Sequence, residues 1–185
     1  MGYPLGLREN GGQYTHGSLW MAMAWARLGD GERAVHLLKL MNPIELTRIP
    51  EDVARYRGEP YVVAADVSSA PGTIGRCGWT WYTGSAAWMY RIWIEEVLGF
   101  QLRGDRLMVN PVIPDDWPGF EITYRFGSAR YEIAVSRHEG IDRAAPGVEQ
   151  AGRHLDDGSI QLVDDGATHR VAVRVPKLQA APVAG

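Results

Sequence analysis

A single cysteine, Cys77, among 185 residues leaves no internal disulfide, and no Cys/His cluster has metal-ligand spacing. Cys77 therefore reads as a small packed residue. Charge runs are also missing: 19 Lys and Arg against 22 Asp and Glu give a net charge of −3, with the basic residues scattered rather than massed. That balance argues against a nucleic-acid surface and leaves a neutral ligand, such as a sugar, as the expectation. Long apolar runs are absent as well. The first residues lack a basic segment followed by an apolar stretch, and the apolar run near 84–98 is interrupted by Arg91, Glu95 and Glu96. Neither a signal peptide nor a membrane span is read there. What remains is a chain of 45% hydrophobic content, long enough for one modest domain with a real core.

Helices come first and strands second. Residues 17–28, with Leu19, Trp20, Met23, Ala24 and Leu28, predict an amphipathic helix closed by Gly29-Asp30-Gly31. Residues 32–41 predict another, with Val35, Leu37, Leu38 and Met41 toward a core and Asn42-Pro43 ending it. The pair reads as an antiparallel helical hairpin. A short polar helix is expected near 50–57, a loop over 68–78, and a further helix over 84–98. The segment EPYVVAADV at 59–67 fits a strand by its Val pair or a helix by Ala64-Ala65.

After Gly99 the period changes to alternation. Phe120, Ile122, Tyr124 and Phe126 share one face of a strand, and Tyr131, Ile133 and Val135 share one face of the next. Gly127-Ser128 fits a two-residue hairpin, which sets Tyr124 beside Tyr131 and Ile122 beside Ile133, and opposes Arg125 to Arg130. Strands are also expected near 159–163 and 169–175, separated by Asp164-Asp165-Gly166. Residues 138–158 read as a long connection and 176–185 as a disordered tail.

Two segments carry chemistry. Residues 75–91, GRCGWTWYTGSAAWMYR, run from an aromatic turn into a Thr-Gly-Ser that opens a helix. Trp79, Trp81 and Tyr82 offer flat apolar faces with polar edges, suited to a pyranose. Thr83, Gly84 and Ser85 place unpaired N–H groups and the positive end of a dipole where an anion could sit. The plainer reading makes these aromatics core and Thr83 a cap. Residues 2–16, GYPLGLRENGGQYTH, gather Arg8, Glu9, Asn10, Gln13, Tyr14 and His16 around the flexible Gly11-Gly12 pair. Such a loop can read hydroxyls, or it can simply be solvated.

Both segments, with EPYVVAADV at 59–67 and NPVIPDDWPGF at 110–120, resemble the inverting disaccharide and oligosaccharide phosphorylases of glycoside hydrolase family 94. The likeness is strongest to the phosphorylase-like C-terminal region of cyclic β-1,2-glucan synthases and covers most of residues 2–135. It implies an α+β chain: the C-terminal part of an (α/α)6 toroid over 1–99, then a small antiparallel β-sandwich-like domain over 100–175. For 59–67 it implies helix. Two departures stand out, neither removing a phosphate contact that the resemblance implies: Leu5 and Leu7 within the GYPPGVREN-like pattern, which is conservative, and Cys77 where the pattern often has Gly, which alters the loop.

The resemblance also implies roles. Phosphate contacts fall on His16, Thr83 and Gly84, and sugar contacts on Arg8, Glu9, Asn10, Gln13, Trp79, Trp81 and Tyr82. An inverting phosphorylase needs one carboxylic acid to protonate the glycosidic oxygen while phosphate attacks the anomeric carbon from the opposite face. That aspartate belongs to an earlier part of the toroid, so no catalytic residue is assigned in this chain. Asp66 is read as structural or as part of a sugar subsite, and Asp115-Asp116 as a solvated turn. No cofactor is expected; inorganic phosphate is the co-substrate. Expected partners are a β-linked gluco-oligosaccharide, the remainder of the toroid and a second copy in a homodimer. The expected location is the cytoplasm, with a tether to the inner membrane through a preceding region. An inverting hydrolase and a non-catalytic carbohydrate-binding remnant are the competing readings.

Overall fold

A computed structural model of the chain describes residues 2–138 and 147–176. Two compact units meet at Val97 and Leu98.

The first unit is helical with one short ladder. Helix α1 (Thr15–Arg27) ends in a left-handed Gly29 (φ 81°), whose N–H bonds the carbonyl of Ala26 while that of Asp30 reaches Trp25. This paired closure satisfies carbonyls at the helix end. Helix α2 (Gly31–Met41) starts at once, because the Asp30 carboxylate accepts the N–H of Arg33 at 2.9 Å. It stops at Asn42, held extended by the following Pro43. Helix α3 (Pro50–Tyr56) has its proline in the first turn and closes on a left-handed Arg57. Helix α4 (Ser85–Arg91) runs on as a π-helical stretch, Ile92–Val97.

Helices α1 and α2 pack together as the expected hairpin, but α1 is rotated from the face its bulky residues suggest. Leu19, Ala22 and Ala26 of α1 and Ala34, Val35 and Leu38 of α2 are buried, while Trp20 and Leu28 are exposed. Small side chains let two helix backbones approach closely, so alanines rather than tryptophan occupy the seam. The helix that the family likeness implies over 59–67 is not formed. Pro60 and Tyr61 lie in a turn, and the only regular element is strand β2 (Asp66–Val67), paired antiparallel with β1 (Gln13–Tyr14).

The second unit is β. Strands β3 (Phe100–Arg103), β4 (Arg106–Val109) and β9 (Ser159–Gln161) form a three-stranded sheet. Strands β5 (Gly119–Phe126), β6 (Ala129–His138), β7 (Gly147–Gln150), β8 (Arg153–His154) and β10 (Thr168–Pro176) form a five-stranded one, ordered β5-β6-β10-β7-β8. The β5–β6 hairpin has the expected register, with Tyr124 opposite Tyr131, Ile122 opposite Ile133 and Arg125 opposite Arg130. Arg130 turns to Glu132, with Nε 3.1 Å from Oε1.

Two expectations differ from the structure. The strands expected on either side of Asp164-Asp165-Gly166 are present, β9 joining β4 and β10 lying parallel to β6. The unit is therefore mixed rather than wholly antiparallel. The connection expected over 138–158 contains β7 and β8. Within it, residues 139–146 lie outside the described residues, as does the tail beyond Pro176. Tyr131, Ile133, Val135, Val148, Val171 and Val173 form the buried face of the large sheet. Arg137 closes one end by donating to the carbonyls of Ile113, Pro114, Trp117 and Pro176. Among the described residues no helix is long and apolar enough to cross a membrane.

Candidate functional site

The short segment around Asp66 is the frame on which both informative segments are hung. On one side the N–H of Thr15 bonds the carbonyl of Ala65 at 3.0 Å; on the other the N–H of Ala65 bonds the carbonyl of Trp79 at 2.7 Å. Thr15 and Trp79 thus flank one residue, about two strand spacings (roughly 10 Å) apart in backbone, although they are distant in sequence. Next along, the N–H of Gly78 bonds the Asp66 carbonyl at 2.8 Å, and the Asp66 carboxylate, with the residue 4% exposed, accepts the N–H of Arg8 at 3.4 Å. Arg8 is left-handed (φ 46°), and its Nε lies 3.9 Å from the same carboxylate.

The N-terminal loop is folded on itself as well as pinned. Gly6 presses against Ala70, where a Cβ would meet the Ala70 nitrogen at 2.4 Å, so only glycine fits at its φ of 85°. Ser69 bonds Gly6 and Gly11. The sugar candidates of this loop divide into two kinds. Asn10 donates to the Tyr3 carbonyl at 2.8 Å, and Gln13 donates to the hydroxyls of Thr15 and Ser18, both at 3.3 Å, at the start of α1. Those side chains have structural bonds. Arg8 pairs with Asp66 and stands over the Tyr3 ring. Glu9 is exposed and makes no hydrogen bond or ion pair among the described residues.

His16 sits in the first turn of α1, half-buried in an aromatic cluster. Its ring centroid lies 6.4 Å from Tyr14, 5.0 Å from Trp20 and 5.9 Å from Trp88. Trp88 is one turn into α4, its N–H bonded to the carbonyl of Gly84. His16 and the Thr83-Gly84-Ser85 turn are therefore linked through one aromatic ring. The Thr83 hydroxyl lies 2.6 Å from that of Ser85 and accepts the Ser85 N–H, the first of α4, at 3.3 Å.

The aromatic segment is not core. Trp79 is 55% exposed, Trp81 63% and Tyr82 86%. The two indoles are nonetheless held: Trp79 Nε1 donates to the Tyr82 carbonyl at 3.2 Å, and Trp81, left-handed at φ 69°, donates to Glu59 at 3.3 Å. Tyr61 adds an edge-on ring 6.2 Å from Trp81. Beside them Arg57, Glu59, Arg76, Cys77 and Thr80 line an open cleft of about 590 Å³. Burial, with Glu59 adding to it, pushes the Cys77 thiol up from its ordinary value. Sequence reasoning missed Glu59, Tyr61, Trp20 and Trp88 as neighbours of the site. The only signal for Tyr61 was its place in the EPYVVAADV motif. Among the described residues no group of three or more His, Cys, Asp or Glu could hold a metal ion.

His16 thus reaches the Thr83-Gly84-Ser85 helix start through Trp88, and Trp79 and Trp81 stand exposed on the segment that leads into it. The chain belongs to glycoside hydrolase family 94: residues 1–99 match the glycosyl hydrolase 94 superfamily catalytic domain. It is 46% identical over 135 residues to a cyclic beta-(1,2)-glucan synthase, NdvB, of Rhizobium meliloti (strain 1021), covering 73% of this chain and 5% of that protein. It is 30% identical over 169 residues to an N,N'-diacetylchitobiose phosphorylase of Vibrio proteolyticus, covering 91% of this chain and 21% of that one. A 1,2-beta-oligoglucan phosphorylase of Listeria innocua is 28% identical over 129 residues, 62% of this chain and 12% of its own length. The chain thus spans a twentieth to about a fifth of these relatives.

Proposed function

We propose that this chain supplies the phosphate-binding and part of the sugar-binding surface of an inverting β-glucan phosphorylase of the cyclic β-1,2-glucan synthase type. In this reading the first unit is the last part of an (α/α)6 toroid and the second a small sandwich-like domain. The observation that carries it is the double bonding of Ala65, which gathers residues 8–16 and 79–84 around one short strand. His16, Thr83 and the Gly84 amide hold the phosphate, by an imidazole N–H, a hydroxyl and a backbone N–H. Trp79, Trp81 and Tyr82 pack on sugar rings, and Arg8 and Glu9 reach their hydroxyls.

Phosphate is already a nucleophile, so the second carboxylate of an inverting hydrolase is not needed. The proton for the departing glycosidic oxygen comes from an aspartate outside this chain. General-acid catalysis typically supplies about 10²–10⁴-fold in rate, so the chain by itself should be inert. The purified chain, given β-1,2-gluco-oligosaccharides and phosphate, is expected to release no glucose 1-phosphate. Robust release would overturn the assignment of the acid elsewhere, and release of glucose without phosphate would point to a hydrolase.

A further inference from the structure

The outer face of the five-stranded sheet carries a trough that the function proposed above does not use. Strand register aligns Glu121, Ala134, Ala172 and Glu149 in one row across β5, β6, β10 and β7. The two alanines end at Cβ, so the middle of the row is low while its ends stand high. At about 4.8 Å per strand the row is roughly 14 Å long. The next row brings Thr123, Glu132 and Arg170 alongside. Together they enclose an open cleft of about 570 Å³, within the roughly 300–1,000 Å³ common for small-ligand sites.

The polar groups around this floor are prepared but not used up. Glu132 accepts from Nε of Arg130 at 3.1 Å and from Nε of Arg170 at 3.5 Å. The terminal nitrogens of both guanidiniums are left without a hydrogen bond among the described residues. Arg174 grips Glu149 through both terminal nitrogens. Among the described residues the Glu121 carboxylate and Thr123 hydroxyl make no hydrogen bond.

The chemistry narrows the ligand. Three carboxylates and two guanidiniums line the cleft, a near balance that disfavours a polyanion or polycation. Two methyl groups are too small a floor for an apolar ligand, yet they suit the C–H face of a sugar ring. A carboxylate accepts from neighbouring hydroxyls and guanidinium N–H groups donate to them. We propose that this trough is a saccharide-binding surface on the second unit, and that its ligand is a β-linked gluco-oligosaccharide. Choosing a glucan rests on the function proposed above; the fit to a neutral polyol does not.

Amide chemical shifts of the ¹⁵N-labelled full chain, titrated with a short linear β-1,2-gluco-oligosaccharide, test this. Saturable shifts are expected at Thr123, Ala134 and Ala172. Ala172→Leu, which fills the floor from the solvent side, should weaken them about tenfold or abolish them, and Glu121→Gln should weaken them severalfold. Unmoved amides in the trough, or unchanged binding by both variants, would overturn the proposal. The same spectra separate the two readings. Shifts at Trp79–Tyr82 without any in the trough defeat this inference and leave the proposed function standing; shifts in the trough alone do the reverse.

Discussion

Replacing Gly78 with alanine probes the frame of the site where it is tightest. A Cβ at this position would lie 2.3 Å from Oδ1 and 2.8 Å from Cγ of Asp66. The carboxylate has little room to retreat, because it is buried, accepts the Arg8 N–H and lies in the ion pair with Arg8, while its backbone is bonded to Gly78. Overpacking of this kind costs about 1–3 kcal/mol, and moving a hydrogen-bonded buried carboxylate places Gly78→Ala in the upper part of that range. For a unit of this size the melting temperature should fall by roughly 10–20 °C. Asp66→Ala alone should cost about 1–3 kcal/mol through the lost acceptor. The double variant should melt close to Asp66→Ala, because the alanine Cβ then has no carboxylate to meet; calorimetry of all four proteins gives the coupling directly. A Gly78→Ala melting point within about 2 °C of the parent, or additive single effects, would refute the reasoning.

Two pH dependences follow from named groups. Burial, with Cys77 and Glu59 adding to it, pushes the Tyr56 phenol up to about 12, from 10.0 in the unfolded chain. The native state then holds its proton more tightly, so this contribution is intact below pH 10 and lost between pH 10 and 12. Alkaline thermal melts should show that loss, and Tyr56→Phe should remove it. Asp164 is held below its ordinary value first by the Ser128 hydroxyl and then by the Ser128 N–H. Its contribution is present above pH 3.8 and disappears as pH falls through the lower native value. Asp164→Ala should therefore flatten the acid limb of the stability profile without moving the alkaline one.

Local patterns were legible where chemistry is local. Gly29 after α1, Asn42-Pro43 after α2, and the Gly127-Ser128 turn with its alternating strands all act through their own backbone, and the hairpin register was read directly. The helix that the family likeness implied over 59–67 fails to form because the fate of this segment is tertiary. Ala64-Ala65 would suit a helix, but both hydrogen-bonding edges of Ala65 are taken by Thr15 and Trp79. The rotation of α1 was hidden for a similar reason, since Ala22 and Ala26 matter only once α2 is present. Parallel pairing of β10 with β6 leaves no mark in either strand's alternation. At the site, residue types signalled a sugar and an anion, whereas the grouping of Tyr61 with Trp81, and of His16 with Trp88, appears only after folding.

In the proposed function, His16 and the Thr83-Gly84 turn hold one phosphate. Long-range ¹H–¹⁵N spectra of the His16 imidazole, together with the Thr83 and Gly84 amides, recorded during titration with inorganic phosphate, test it most directly. All three signals should move together with one saturable midpoint, and His16→Ala and Thr83→Val should each weaken binding about tenfold. Imidazole and amide signals that stay fixed, or that move with separate midpoints unaffected by the two substitutions, would contradict it.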